Sequence, residues 1–240
     1  MIFKETVKIG LKDIEKDNIL SNKAILKFFE NIAGHHSDSL GYGLNNSNVT
    51  HLSWILLEWK IKSIKRIEYG EELSIDTWSR SIDKYYATRD FKMYNSKGEL
   101  CVIGTSKWLL INTEKGAIVK PDETMIAKYE SEPDNKVFEE ELEKIKAPVE
   151  YTNEILYTVR RKDIDFIGHM HNLYYLDLAY EALPEEVYEQ RLFNDVRITY
   201  KKEIKLGDTV KCKYVYENEK HVVAITSEDD KTLHAIIELK

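Results

Sequence analysis

The 240 residues carry 35 basic and 42 acidic side chains, a formal net charge of −7, which opposes the phosphate neutralisation that nonspecific nucleic-acid binding needs. That length allows one large domain or two of about 120 residues each, with enough core to fold without disulfides or a structural metal. The two cysteines, Cys101 and Cys212, sit far apart in apolar stretches with no metal-ligand spacing, so a reducing cytosol is expected and a disulfide is not.

The chain opens with MIFKETVKIGLKDIEKD, charged throughout and without the apolar run of a secretory signal. No later apolar run approaches the roughly 18 residues of a membrane span. Within the opening, ETVKIGL reads as a strand, and KAILKFFENIAGHH at 23–36 reads as a helix. The stretch LEWKIKSIKRIEYGEELSIDTWS is a long alternating pattern broken by Gly70 and Glu71. The next hairpin, FKMYNSKGELCVIGTSKWLLI, turns at 95–98. Residues 121–150 are charged and punctuated by proline, and read as a linker with a helical turn or two around 136–145.

After it the pattern starts again. EILYTVR reads as a strand and LYYLDLAYEAL at 173–183 as a helix. NDVRITYKKEIKLGDTVKCKYVY is an alternating pair broken at Gly207 and Asp208, and HVVAITSEDDKTLHAIIEL is a hairpin turning at 228–231. The local match is closest between KDIEKDNILSN at 12–22 and KDIDFIGHMHN at 162–172. There Lys12, Asp13, Ile14 and Asn22 meet Lys162, Asp163, Ile164 and Asn172 without a gap. Ordered agreement of this kind marks a duplication. The helix at 173–183 is apolar on nearly every face, with only Asp177 and Glu181 charged, so it is wrapped rather than laid on a surface. The expected class is α+β: a tandem (double) hotdog, each unit an antiparallel sheet wrapped around a long central helix. The units are placed at 1–120 and 151–240, either side of the 121–150 linker.

Chemistry concentrates between the strand and the helix of the second copy. Asn172 is the expected helix cap, and the amides around Gly168 are the expected donors to a developing oxyanion. Gly168 itself leaves room for a substrate to approach. Asp165 and His169 are spaced to meet across the loop, the carboxylate orienting the imidazole as a general base. The first copy has Ile19 opposite His169 and Asn18 opposite Gly168. Only the second copy carries the polar pair, so that copy is the one given a catalytic task.

The stretch Asp163-Ile164-Asp165-Phe166-Ile167-Gly168-His169-Met170-His171-Asn172-Leu173-Tyr174-Tyr175 resembles the signature of the acyl-acyl-carrier-protein thioesterases, Asp-x-Asp-x-Asn-x-His-x-Asn-Asn-x-x-Tyr. AGHHSDSLGYG, SWILLEWKIK, ELSIDTWSRSIDKYYATRDFKMYNSKGEL and TSKWLLIN are similar to further stretches of that family. Ile198-Thr199-Tyr200-Lys201-Lys202-Glu203 resembles a family strand ending Arg-Arg-Glu-Cys. The resemblance implies a double hotdog that hydrolyses fatty acyl chains from the phosphopantetheine arm of acyl carrier protein in fatty acid biosynthesis. It implies an acyl-chain pocket in the N-terminal unit and Asp165, His169 and Glu203 as the catalytic set. Gly168, His171, Asn172 and Ile167 then contact substrate. Ile167 departs from the family's Asn and Ile204 from its Cys, while His171 brings an imidazole to the place of an Asn.

Acyl carrier proteins are acidic, so an acidic enzyme needs a local basic rim. Arg160, Arg161 and Lys162 before the loop, and Lys201, Lys202 and Lys205 around Glu203, are the expected rim. A phosphate-binding Gly-rich loop and metal-ligand histidine spacing are both lacking, so no cofactor or metal is expected. The architecture is compatible with a homodimer. An acyl-CoA thioesterase, and an acyl-binding module whose site has degenerated at Ile167, are the alternative readings.

Overall fold

The computed structural model describes all residues, 1–240. They fall into two compact units, Met1–Glu141 and Leu142–Lys240. The first unit contains β1 (Phe3–Lys8), α1 (Asn22–Ser39), a single turn α2 (Ser47–Thr50), β2 (Leu52–Ser63) and β3 (Glu72–Asp83). It continues with β4 (Tyr86–Tyr94), β5 (Leu100–Asn112), the short β6 (Ala117–Ile118) and α3 (Glu123–Tyr129). Its strands pair antiparallel in the order β1-β3-β4-β5-β2, with β6 on β5.

The second unit has β7 (Asn153–Thr158), α4 (Tyr174–Glu181), a one-turn α5 (Glu185–Tyr188), β8 (Asp195–Tyr200), β9 (Thr209–Glu217), β10 (Lys220–Ser227) and β11 (Leu233–Leu239). Its order is β7-β9-β10-β11-β8, again antiparallel. With β7 read for β1 and β8 for β2, the two orders are the same. The duplication seen in the sequence is therefore a duplication of topology.

Helix α1 runs 18 residues and buries Ala24, Ile25, Leu26, Phe28, Phe29, Ile32 and Ala33, a wide apolar stripe at helical spacing. Phe29 is wholly buried and stacks on Phe91 of β4 with ring centres 4.6 Å apart. Gly104 of β5 makes the close approach possible: a Cβ there would lie 2.6 Å from a Phe29 ring carbon. Helix α4 is shorter, 8 residues, because Pro184 follows and the residue before a proline leaves the helical region. It buries Tyr175, Leu176, Leu178, Ala179 and Tyr180, against β9, β10 and β11. Both long connections between alternating strands turn on a glycine with positive φ, Gly70 at 92° and Gly207 at 85°, where a side chain would be strained.

The stretch read as a linker is partly built into the first unit. Asp122 caps α3 by accepting from the Met125 amide at 2.8 Å. Met125 and Tyr129, one turn apart on that helix, are buried in a cluster with Leu110. The helical turns expected around 136–145 are absent; that segment is irregular. The helical signal lay instead in the i, i+4 apolar pair just after the Asp122 cap. No helix of the chain is long and apolar enough to cross a membrane.

Candidate active site

The connection between first strand and helix is built the same way in both units. In the second, Asp163 Oδ2 accepts from the Arg160 amide at 2.8 Å and the Tyr157 hydroxyl at 2.6 Å. In the first, Asp13 Oδ2 accepts from the Gly10 amide at 2.8 Å, and Lys27 pairs with the same carboxylate. The Asp165 amide donates to the His169 carbonyl at 2.8 Å, as Glu15 does to Ile19 at 2.8 Å. The His171 amide donates to the Asp163 carbonyl at 2.9 Å, as Ser21 does to Asp13 at 2.9 Å. The Met170 amide donates to the Ile204 carbonyl at 2.8 Å, as Leu20 does to Ile67 at 2.8 Å. His169 bridges Lys205, and Ile19 bridges Glu68. The gap-free alignment of 12–22 with 162–172 thus holds atom for atom, and Ile19 is the structural counterpart of His169.

This ladder orients the side chains. Residues 169–171 lie extended between 163–165 and 204–205, and successive side chains of an extended segment alternate in direction. Met170 and Ile204 are buried; His169 and His171 are half-buried, while Glu203 and Lys205 are exposed. His169 and His171 therefore share a face of this segment, opposite the buried Met170. The one bridge there pairs His169 with Lys205, and the pairing stops at Ile204, whose amide turns to the Tyr175 hydroxyl. Glu203 lies on the adjoining segment, close enough to Tyr175 for its charge to act on that hydroxyl.

Three expectations for this loop are corrected. The first concerns Asp165, whose carboxylate does not bond the His169 ring. Its Oδ1 instead accepts from the amides of Ile167 at 2.8 Å, Gly168 at 3.0 Å and His169 at 3.2 Å. A short acidic side chain at the start of a tight turn reaches its own backbone first, so Asp165 acts on His169 by fixing the turn that presents it. The second concerns Gly168 and the amides around it. Those amides are occupied by Asp165, and they lie well ahead of α4, which begins at Tyr174; they do not form an oxyanion hole. The space where a Gly168 Cβ would go is open, and what demands glycine is the backbone, with φ at 93°. Asn18 holds the equivalent place at φ 59°, Asn being the side chain that best tolerates that region. The third concerns the helix cap. The residue before α4 is Leu173, not Asn172, and it makes no side-chain cap bond; its amide donates to the His171 Nδ1 at 3.2 Å. In the first unit Ser21, the counterpart of His171, caps α1 through its hydroxyl, accepting from the Ala24 amide at 3.0 Å.

Phe166 and Ile167 are exposed at the tip of the turn, 75% and 50%, so Ile167 presents an apolar surface where the family motif has an amide. Asn172 is held through its backbone, its carbonyl accepting from the Tyr200 hydroxyl at 3.0 Å. Tyr175 is a member that sequence reasoning counted only as an apolar helix residue. Burial pushes its hydroxyl well above the ordinary tyrosine range. The Ile204 amide opposes this, and the charges of Glu203 and Asp165 add to it. The phenol stays protonated and lies within the field of both carboxylates. Its signal in the sequence was its place at the end of the motif.

The basic residues lie on both flanks of the loop. Val159 and Gly207 exchange backbone bonds, Val159 to Asp208 at 2.9 Å and Gly207 to Val159 at 3.1 Å, which ties the 160–162 segment to the 205–208 turn. Arg160, Arg161, Lys162, Lys201, Lys202 and Lys205 are all exposed. No group of three or more His, Cys, Asp or Glu side chains is placed to hold a metal ion. What the arrangement offers is a half-buried imidazole on a fixed turn, able to move a proton to and from a small nucleophile such as water.

A helix against a five-stranded antiparallel sheet, made twice in one chain with the same strand order, is the tandem hotdog. Solved structures of that fold superpose over nearly the whole chain. An acyl-ACP thioesterase from Bacteroides thetaiotaomicron matches with a TM-score of 0.87 at 17% identity, covering 99% of this chain and 96% of that one. The 12:0-ACP thioesterase from Umbellularia californica matches at 0.84 and 17% identity, covering 100% and 96%. Residues 1–129 match the acyl-ACP thioesterase N-terminal domain and residues 146–239 the acyl-ACP thioesterase C-terminal domain. The chain belongs to the acyl-ACP thioesterase family. Among curated relatives, oleoyl-acyl carrier protein thioesterase 1, chloroplastic, from Arabidopsis thaliana is 22% identical over 225 residues, 87% of this chain. The chain spans 62% of the length of that relative.

Proposed function

We propose that this protein hydrolyses fatty acyl thioesters carried on the phosphopantetheine arm of acyl carrier protein, releasing free fatty acid in fatty acid biosynthesis, with the chemistry in the second unit. The observation that carries this reading is the half-buried His169 on a turn pinned by Asp165, with the charges of Asp165 and Glu203 both reaching the Tyr175 hydroxyl, in a chain of this family. His169 takes a proton from water as its oxygen attacks the thioester carbonyl carbon. The C–S bond then breaks, and the imidazolium returns the proton to the leaving thiolate. General-base help of this kind supplies about 10²–10⁴-fold. Glu203, on the segment that leads into Lys205, orients the water and stabilises the imidazolium. Asp165 holds the turn.

The first unit, with Ile19 in the place of His169, has no such pair and in this reading receives the acyl chain. Arg160, Arg161, Lys162, Lys201, Lys202 and Lys205 receive the acidic carrier protein, an interaction that weakens with salt. Cys101 and Cys212 are both buried free thiols, which supports a reducing compartment such as the cytoplasm.

The test is release of free thiol from carrier protein loaded with saturated and unsaturated chains of several lengths, beside the matching CoA thioesters. Turnover of the carrier-linked series, with a KM that rises steeply with salt, is the expected result. Faster turnover of CoA thioesters would reassign the substrate. Saturable binding of chains with no thiol released would make this an acyl-binding module.

A further inference from the structure

We propose that His171 donates the hydrogen bond that holds the thioester carbonyl during attack, a role that deepens the hydrolase reading above and rests on it. Attack on a carbonyl needs a donor for the developing oxyanion, and eight amides of this loop are already committed. The amides of Ile167, Gly168 and His169 go to Asp165. That of Met170 goes to the Ile204 carbonyl and that of His171 to the Asp163 carbonyl. The amides of Tyr174 and Tyr175 go to the His171 and Asn172 carbonyls. The Leu173 amide goes to the His171 ring.

That last bond decides the state of the ring. Nδ1 accepts from an amide, so it carries a lone pair, and the proton of the neutral imidazole sits on Nε2. The ring is further fixed edge-on to Tyr174, centres 6.1 Å apart. His171 is therefore a pre-oriented N–H donor, half-buried and two residues along an extended segment from His169. The duplication shows that folding alone does not ask for this. Ser21 accepts from a first-turn amide in the first unit with a hydroxyl, and an imidazole at the equivalent place adds a second nitrogen carrying a proton. The two histidines divide the work: His169 moves the proton and His171 meets the carbonyl oxygen. Ile167, which offers no polar group, leaves this donor uncontested.

The test separates the two roles of the ring. His171→Ser supplies the hydroxyl acceptor of the first unit without the Nε2 donor. On a carrier-linked chain that the wild type turns over, kcat should fall about 10²–10³-fold, with KM changed less than about threefold and the thermal transition preserved. His171→Asn and His171→Asp both offer an acceptor oxygen, but only the Asn side chain can also donate. The Asn variant should keep at least about tenfold more kcat than the Asp variant, and this pair decides the matter if the Ser variant does not fold. A His171→Ser enzyme within threefold of wild-type kcat, or equal kcat for the Asn and Asp variants, would overturn the assignment and leave His171 an acceptor for the Leu173 amide. A wild type that releases no thiol from any substrate fails the hydrolase reading itself, a different result.

Discussion

Replacing Asp165 tests how the loop is built. Its Oδ1 collects three amide hydrogens within five residues. Hydrogen bonds to a charged acceptor contribute about 1.5–3 kcal/mol each when buried, and the loop is half-buried to exposed, so water recovers part of the loss. Asp165→Ala should therefore destabilise the protein by about 2–4 kcal/mol. Asp165→Asn keeps an acceptor oxygen of the same reach and should cost about 1 kcal/mol. Urea unfolding followed by fluorescence measures both, and the difference between the two variants is the informative quantity. Activity should follow the same order, because the side chain serves His169 through the turn: the Asn variant stays within about tenfold of wild type, and the Ala variant loses about 10²-fold or more. Equal stability of the Ala variant and wild type would refute the three-amide arrangement. A stable Asn variant as inactive as the Ala variant would show that the charge acts on the imidazole directly.

Gly104→Ala places a Cβ 2.6 Å from a ring carbon of Phe29 and 3.3 Å from Ile61. It should cost about 1–3 kcal/mol, read as a lower Tm, with kcat per folded molecule unchanged. His36 is wholly buried with its Nδ1 on Arg89 at 2.8 Å. Burial, reinforced by the Arg89 charge, lowers its pKa from 6.5 to about 3. The unfolded chain takes up this proton first, so the contribution of neutral His36 is complete above about pH 6.5 and is lost as pH falls towards 3. The slope approaches about 1.4 kcal/mol per pH unit, and His36→Gln should remove that component from the pH dependence of unfolding. Charge reversal of Lys202 and Lys205 to Glu should raise KM for carrier-linked substrate about tenfold or more at low ionic strength. It should leave KM for a short pantetheine thioester unaltered, and high salt should bring the variant and wild type together.

Much of this architecture was legible because it is written twice. The strands declared themselves by alternation, their turns by Gly70, Gly98 and Gly207, and the equivalence of the units by KDI at 12–14 and 162–164. Helix α3 escaped because its two buried residues, Met125 and Tyr129, are scattered among charges in a segment whose composition resembles a linker. At the site, spacing singled out Asp165 and His169 and the family resemblance added Glu203, but neither could reveal what Asp165 bonds. A carboxylate four residues before an imidazole can reach either that ring or the intervening amides, and the choice depends on how tightly the turn closes. The same kind of competition gives the Leu173 amide to the His171 ring. Tyr175 looked like one more apolar position on α4, because its hydroxyl matters only once the Ile204 segment is laid beside it.

The division of labour between the units is the centre of the account, and paired substitutions at equivalent places test it most directly. His169→Ala and Ile19→Ala alter the same position of the duplicated loop. Single-turnover release of thiol from one carrier-linked acyl chain should slow about 10²–10⁴-fold for the first and less than about tenfold for the second. A comparable loss in both, or none in His169→Ala, would contradict the placing of the chemistry in the second unit.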